Sequence, residues 1–436
     1  MKYTKLLAHL SPLFMALGVA VSTTGGAFAA DDDDGYAPRG IHVGSFYVFP
    51  SVAVGIGIDD NIFRLPEENA EATGAAVDTP VSDNFVKTNA SVTINSDWTR
   101  HAFAGMASVS LGKYDEFGQE DFGNYEMGID GTLDIKRGIF ATGKAGFRKK
   151  NEDRSSVDDR EVDSVAATQE VFGIEPTAFS AKYVGVGFDY NPARLGFSFD
   201  LDYKTLDYGD ISNINGAIVD NGDRNRSLAI ARVRVGYEIM PHRSLYLEGN
   251  LNNVGYDQQA DNNGIERSSS GYKTAVGMNF DLSNLLLGDV YVGYLEQDYD
   301  SPTQADISSN TFGAKLKWFP SRLTSVNLGL NQNVEESTEA SASGYLSTKA
   351  NIGINHELKR NIILSASVDH TENEFTQNAI GQKEREDITG ISLGGKYLIS
   401  RLLTTSLNVR REVRNSDLQI QEYTNNRAEF KIGAHW

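Results

Sequence analysis

From residue 46 onward the chain alternates, apolar and polar residues exchanging places with a period of two. Val86, Thr88, Ala90, Val92, Ile94 and Trp98 fall on one face, and Lys87, Asn89, Ser91, Thr93, Asn95 and Asp97 on the other. Leu195, Phe197, Phe199, Leu201 and Tyr203 likewise oppose Ser198, Asp200, Asp202 and Lys204. This is the signature of strands with one greasy and one wet surface. Eighteen such segments can be marked: 46–58, 84–98, 101–113, 122–135, 138–150, 177–190, 193–208, 225–239, 243–257, 269–282, 286–299, 308–319, 322–335, 344–357, 361–374, 387–399, 402–415 and 422–436. Gly288 in the eleventh and Gly394-Gly395 in the sixteenth interrupt the pattern, so sixteen strands is the fallback count.

The connections alternate too. After even-numbered segments the links are short, as at Thr99-Arg100, Lys136-Arg137, Asn191-Pro192, Pro320-Ser321 and Ser400-Arg401. After odd-numbered segments they are usually longer and richer in Asp, Asn and Ser, as at Asn151–Glu175 and Gly209–Arg224. A short side and a long side, with an even strand count, predict one closed antiparallel transmembrane β-barrel with periplasmic turns, extracellular loops and both termini in the periplasm. A propeller or solenoid would instead carry a per-repeat motif and comparable loops on both sides.

The two ends of the chain fit an outer-membrane protein. Lys2 and Lys5, an apolar run from about Leu10 to Val21 and the small-x-small triplet Ala27-Phe28-Ala29 read as a signal peptide over 1–29. An acidic periplasmic arm over 30–45, opening with Asp31 to Asp34, then leads into the barrel over 46–436. At the far end Ala428, Phe430, Ile432, Ala434 and Trp436 share one face. A strand that stops on an aromatic residue after such alternation resembles the closing strand of bacterial outer-membrane barrels. That resemblance implies that Phe430, Ile432 and Trp436 serve as a signal to the barrel-insertion machinery.

Composition narrows the function classes. The chain has no cysteine, so disulfides and thiolate metal sites are excluded. It carries 42 glycines, 19 tyrosines and 21 phenylalanines, yet its mean hydropathy is −0.35, as a barrel with a wet interior requires. A net charge of −19 argues against nucleic acid as a partner. The expected partners are outer-membrane lipid and lipopolysaccharide, the insertion machinery, and a polysaccharide with its periplasmic export components.

The first strand runs through Val52-Ala53-Val54-Gly55-Ile56-Gly57-Ile58 into Asp59-Asp60-Asn61-Ile62-Phe63-Arg64. With the turns Trp318-Phe319-Pro320-Ser321-Arg322-Leu323-Thr324-Ser325 and Tyr397-Leu398-Ile399-Ser400-Arg401-Leu402-Leu403-Thr404, this opening resembles the β-barrel porin 2 family over essentially the whole mature chain. The resemblance implies an outer-membrane exit pore for an exopolysaccharide or capsule, with no catalytic residues. A general diffusion porin and a structural or surface-interaction barrel are the alternatives.

If the apolar faces meet lipid, the other faces line a lumen. Its bases would include Lys87, Lys144, Arg148, Lys150, Arg232, Arg234, Lys315, Lys317, Lys349, Lys396, Arg410, Arg414, Arg427 and Lys431. Either these form a basic, anion-guiding conduit, or inward acids such as Asp130, Asp200, Asp202, Glu248, Glu357, Glu412 and Glu429 pair with them in a neutral ladder. No enzyme is expected. Of seven histidines only His370 lies well along a strand toward the outer side, and its neighbour Asp369 must face the opposite way. Asp31–Asp34 lacks the spacing of a calcium loop, so neither a metal site nor a cofactor is expected.

Overall fold

The computed structural model describes residues 36–66, 80–156, 160–162, 170–172, 175–212, 218–262, 264–337, 342, 344–375, 384–417 and 421–436. The signal peptide and the acidic run Asp31–Asp34 lie outside them.

Eighteen long strands make the wall. They are β1 (Phe46–Asp59), β2 (Asp83–Ser96), β3 (Ala102–Tyr114), β4 (Phe122–Lys136), β5 (Ile139–Asn151), β6 (Ala178–Tyr190), β7 (Leu195–Tyr208), β8 (Arg226–Met240) and β9 (Arg243–Tyr256). The series continues with β10 (Ser269–Leu282), β11 (Leu286–Tyr299), β12 (Ile307–Ser321), β13 (Thr324–Glu336), β14 (Gly344–Lys359), β15 (Ile362–Phe375), β16 (Glu384–Leu398), β17 (Leu403–Ser416) and β18 (Tyr423–His435). Each pairs antiparallel with its sequence neighbours, and β1 pairs with β18 from Ser51↔His435 to Asp59↔Arg427, which closes the barrel. Closure is what a bilayer demands, because lipid offers no partner to the amides of a free edge.

Several details depart from the sequence reading. The sixteenth strand begins at Glu384, three residues before the expected 387. Neither glycine interruption breaks a strand. A side chain at Gly288 would overlap the Phe280 ring, and one at Gly394 would overlap the Ser365 hydroxyl, so both positions are gaps filled from the neighbouring strand. The segment assigned to the arm contributes a short strand, Ile41–Val43, which turns through Gly44 (φ +62°) and pairs with β1 from Ile41↔Val48 to Val43↔Phe46.

Sidedness is that of a membrane barrel. Val292, Leu251, Leu393 and Ile56 are each at least 60% exposed, whereas Arg414 and Glu386 are 1% exposed. Apolar side chains point out and charged ones in, the reverse of a water-soluble fold. The tight turns use residues suited to them. Ser283 (φ +61°) and Asn284 (φ +56°) occupy the centre of a two-residue turn closed by the Leu285 N–H donating to the Leu282 carbonyl at 3.1 Å. Gly138 turns β4 into β5 at φ +75°, where any side chain would also strike the Asn191–Pro192 backbone.

The β1–β18 seam has an additional fastening at its long-loop end. The Asn61 amide donates to the carbonyls of Leu65 (2.7 Å) and Thr424 (3.0 Å), and its oxygen accepts from the Leu65 N–H at 2.8 Å. The Asn425 amide bonds Asp59, and that of Asn426 bonds Asp60. Phe63 meets Phe117 edge-on at 5.4 Å. The run Asp59–Arg64 thus links the first strand to the last and to a neighbouring loop.

Candidate functional site: the inner wall

Alternation places the charged positions of adjacent strands on one surface, and the register decides which of them meet. Lys144 reaches Asp202 at 2.7 Å, Lys150 reaches Glu126 at 3.0 Å, and Lys431 lies 3.4 Å from Glu429. Arg234 binds Glu248 through Nε at 2.8 Å and Asp289 at 3.3 Å, with its guanidinium 4.0 Å from the centre of the Tyr246 ring. Arg232 is 4.0 Å from Glu248, and Lys349 is 3.5 Å from Glu335. Arg410 forks onto Asp369 at 2.7 and 2.8 Å and also holds Glu412 at 2.7 Å. Arg414 is buried against Glu386 and donates to Gln421 at 3.1 Å. Most inward bases therefore have a carboxylate on their own strand or one nearby, and such pairs leave little net field in the lumen.

A minority of bases make no ion pair among the described residues. Lys317 lies over the Phe319 ring at 5.1 Å, Lys87 over Phe122 at 5.8 Å and Arg427 over Phe85 at 4.2 Å. Lys315 stands opposite Asp289 in register without forming a pair, and Arg148 meets neither carboxylate nor ring. These are among the bases that carry the unmatched positive charge of the wall.

Inward glycines make the longer pairings possible. Between Lys144 on β5 and Asp202 on β7 lies Gly185 of β6, where a side chain would collide with both. Gly390 of β16 lies in the same way beneath the Arg410 guanidinium on its path from β17 to Asp369 on β15. The Tyr246 ring crosses Gly277 of β10, and its hydroxyl donates to Asp289 of β11 at 2.6 Å. Each bridge covers two strand spacings, about 10 Å. Sequence reasoning missed this use of glycine, although the 42 residues were the signal.

The long-loop rim holds a second set of buried pairs. Arg64 donates to Asp59 at 3.2 and 3.3 Å, Arg154 to Glu120 at 2.6 Å, and Arg224 to Glu152 at 2.6 Å. Burial opposes the charge of Arg64, but Asp59, Asp153, Glu412 and Tyr423 outweigh that and raise its pKa. Arg64 and Arg427 act in turn on the Asp153 carboxyl.

His370 and Asp369 do face opposite ways. Asp369 holds Arg410 on the inner wall, while His370 contacts Thr389 (2.9 Å) and Asp387 (3.8 Å) on the outer one. His370, Glu372 and Asp387 form a cluster that the sequence reading did not group, with donor atoms within 4.8 Å of one another. Arg385 already engages both of its carboxylates, at 2.7 and 3.5 Å. On the closing strand Phe430, Ile432 and Trp436 lie on the exposed outer side, and the Trp436 N–H donates to the Pro50 carbonyl at 3.1 Å.

Among solved structures, OccAB3 of Acinetobacter baumannii is 12% identical with a TM-score of 0.45, covering 90% of this chain and all of its own. The outer membrane protein OpdK from Pseudomonas aeruginosa is 12% identical with a TM-score of 0.42, covering 89% of this chain and 99% of its own. A BenF-like porin from Pseudomonas fluorescens Pf-5 is 9% identical with a TM-score of 0.44 and the same coverages. No curated protein matches the sequence. The family described as "Putative beta-barrel porin 2" matches residues 33–434. With eighteen strands closed on themselves, an apolar exterior and a charged interior, the chain belongs to that family of outer-membrane β-barrel porins.

Proposed function

We propose that this barrel is the outer-membrane exit conduit for an exopolysaccharide or capsular polysaccharide, with both termini in the periplasm and the long loops outside. The observation that carries this reading is the paired inner wall. Matched guanidinium–carboxylate and ammonium–carboxylate bridges present many donors and acceptors at nearly balanced charge. A hydroxyl-rich polymer can exchange weak hydrogen bonds with such a surface from site to site. A strongly charged ring would instead hold a small ion, and conduction needs sites weak enough to leave.

The test is deletion of the gene in its host, with complementation. Secreted polysaccharide should fall and return with the wild-type gene, while the other outer-membrane proteins stay constant. Unchanged polymer output together with slower uptake of small sugars would replace this reading by that of a diffusion porin. One observation favours that second reading: the buried pairs Arg154–Glu120 and Arg224–Glu152 draw loops together at the rim.

A further inference from the structure

One buried cation of the inner wall lacks the partner that others have. The buried arginines Arg64, Arg154, Arg224, Arg267 and Arg414 each hold a carboxylate. Arg148 is 8% exposed, makes no ion pair among the described residues, and its Nε is buried without a hydrogen-bond partner. Glu126 stands directly opposite it in the β4–β5 register, but that carboxylate is taken by Lys150. A buried guanidinium left in this state is costly, and an incoming anion would relieve the cost.

Its surroundings supply a second cation. The register runs Arg148↔Ala181↔Leu206↔Arg226 across β5 to β8, and the two residues between the arginines are buried and apolar. Lys204, the next inward position of β7, lies between them and also makes no ion pair among the described residues. The charges that act on it most are Arg148 and Arg226, with Glu335 acting from β13. Tyr183 stands opposite Lys204, and its ring occupies the gaps at Gly146 and Gly128 on the two strands beyond.

We infer that Arg148 and Lys204 form an anion subsite on the inner wall, and that it takes the carboxylate of an acidic sugar in the passing polymer. The guanidinium offers a planar fork that matches a carboxylate, the ammonium adds a movable point charge, and the Tyr183 ring gives the sugar a flat face to lie against. This deepens the export reading and rests on it for the source of the sugar.

The test uses the full barrel in planar bilayers, titrated with a galacturonate trisaccharide and with its neutral galactose counterpart. Galacturonate should interrupt the current at a concentration about tenfold lower than galactose or less, the scale expected for one charge-assisted pair. Raising the salt should narrow the gap. Arg148→Gln combined with Lys204→Gln should abolish it, whereas the outward-facing control Lys182→Gln should keep it. Equal blocking in the wild type, or a gap that survives the double variant, overturns the subsite. If the double variant does not assemble, Lys204→Gln alone decides, and an undiminished gap overturns the inference. A galacturonate gap in a barrel whose deletion leaves secreted polymer unchanged would retain the subsite and remove the export role. Lost secretion without any gap would do the reverse.

Discussion

Asp60 accepts two hydrogen bonds from Asn426, one from its backbone N–H at 2.6 Å and one from its side-chain amide at 2.7 Å. Asp60 directly follows β1 and Asn426 lies in β18, 366 positions apart in sequence. The Asp60 N–H also donates back to the Asn426 carbonyl at 3.1 Å, so the contact is reciprocal. A motif that in sequence resembles a family opening is in structure a clasp on the barrel's closing seam.

Asp60→Ala and Asn426→Ala should each weaken that seam. Hydrogen bonds to a charged group contribute roughly 1.5–3 kcal/mol; Asp60→Ala removes both bonds from Asn426, and Asn426→Ala removes the side-chain one. The double variant should therefore lose little more than Asp60→Ala alone, and less than the sum of the two singles. The check is the temperature at which the folded, fast-migrating gel band is lost. Additive losses would mean that the pair is not coupled.

Gly390→Val should cost assembly out of proportion to its size, because the new side chain would occupy the space of the Arg410 guanidinium. Displacing Arg410 leaves Asp369 and Glu412 without their shared cation. Adding Arg410→Ser should recover folded barrel from Gly390→Val by making room. Outer-membrane yield measures both steps, and a double variant no better than the single one would refute the crossing arrangement.

Replacing Trp436 by a polar residue, or deleting Phe430 to Trp436, should abolish outer-membrane assembly while export to the periplasm continues. The deleted residues include much of the register with β1, and Phe430, Ile432 and Trp436 belong to the outer apolar surface. Fractionation and heat-modifiable mobility give the readout. Normal surface exposure in either variant would contradict the role assigned to the terminus.

The loops carry a pH prediction. Enclosure opposes the charge of Asp153, but Arg64, two hydrogen bonds from Ser155 and Arg427 outweigh it and hold the carboxyl below its ordinary 3.8. A carboxyl depressed by folding contributes stability that is fully present above the unfolded pKa and is lost as pH falls through the folded one. The loop arrangement around Arg64 should thus be constant down to about pH 4 and loosen only in stronger acid. Asp153→Asn should show the loosened behaviour at neutral pH. Closing frequency in single-channel records is the measurement, and a wild-type transition above the usual carboxylate range would contradict the assignment.

The strands were legible because each one obeys a local rule. Val86 against Lys87 or Leu201 against Asp202 declares its face without reference to any other strand. Ion pairing was not legible. Whether Lys144 meets Asp202 depends on the stagger of three strands and on a glycine in the middle one, and no single segment contains that information. Arg148 illustrates the same point in reverse. In sequence it is one more inward base, and only the register shows that Glu126 is already engaged with Lys150. The strand at Ile41–Val43 was hidden by its shortness, since three residues are too few to display a period.

Alternation leaves one ambiguity that the crossing glycines resolve. Sliding a strand by one residue turns every side chain to the wrong face, but sliding it by two restores the pattern of lipid side and water side. The backbone ladder alone distinguishes poorly between such positions. Gly277 and Gly390 break the degeneracy, because a strut from one neighbour must find a vacancy at one place on the middle strand and a partner on the strand beyond. A two-residue slip would press Tyr246 or Arg410 onto a position that carries a side chain. The gaps thus act as keyways that select one stagger from a set of otherwise equivalent ones.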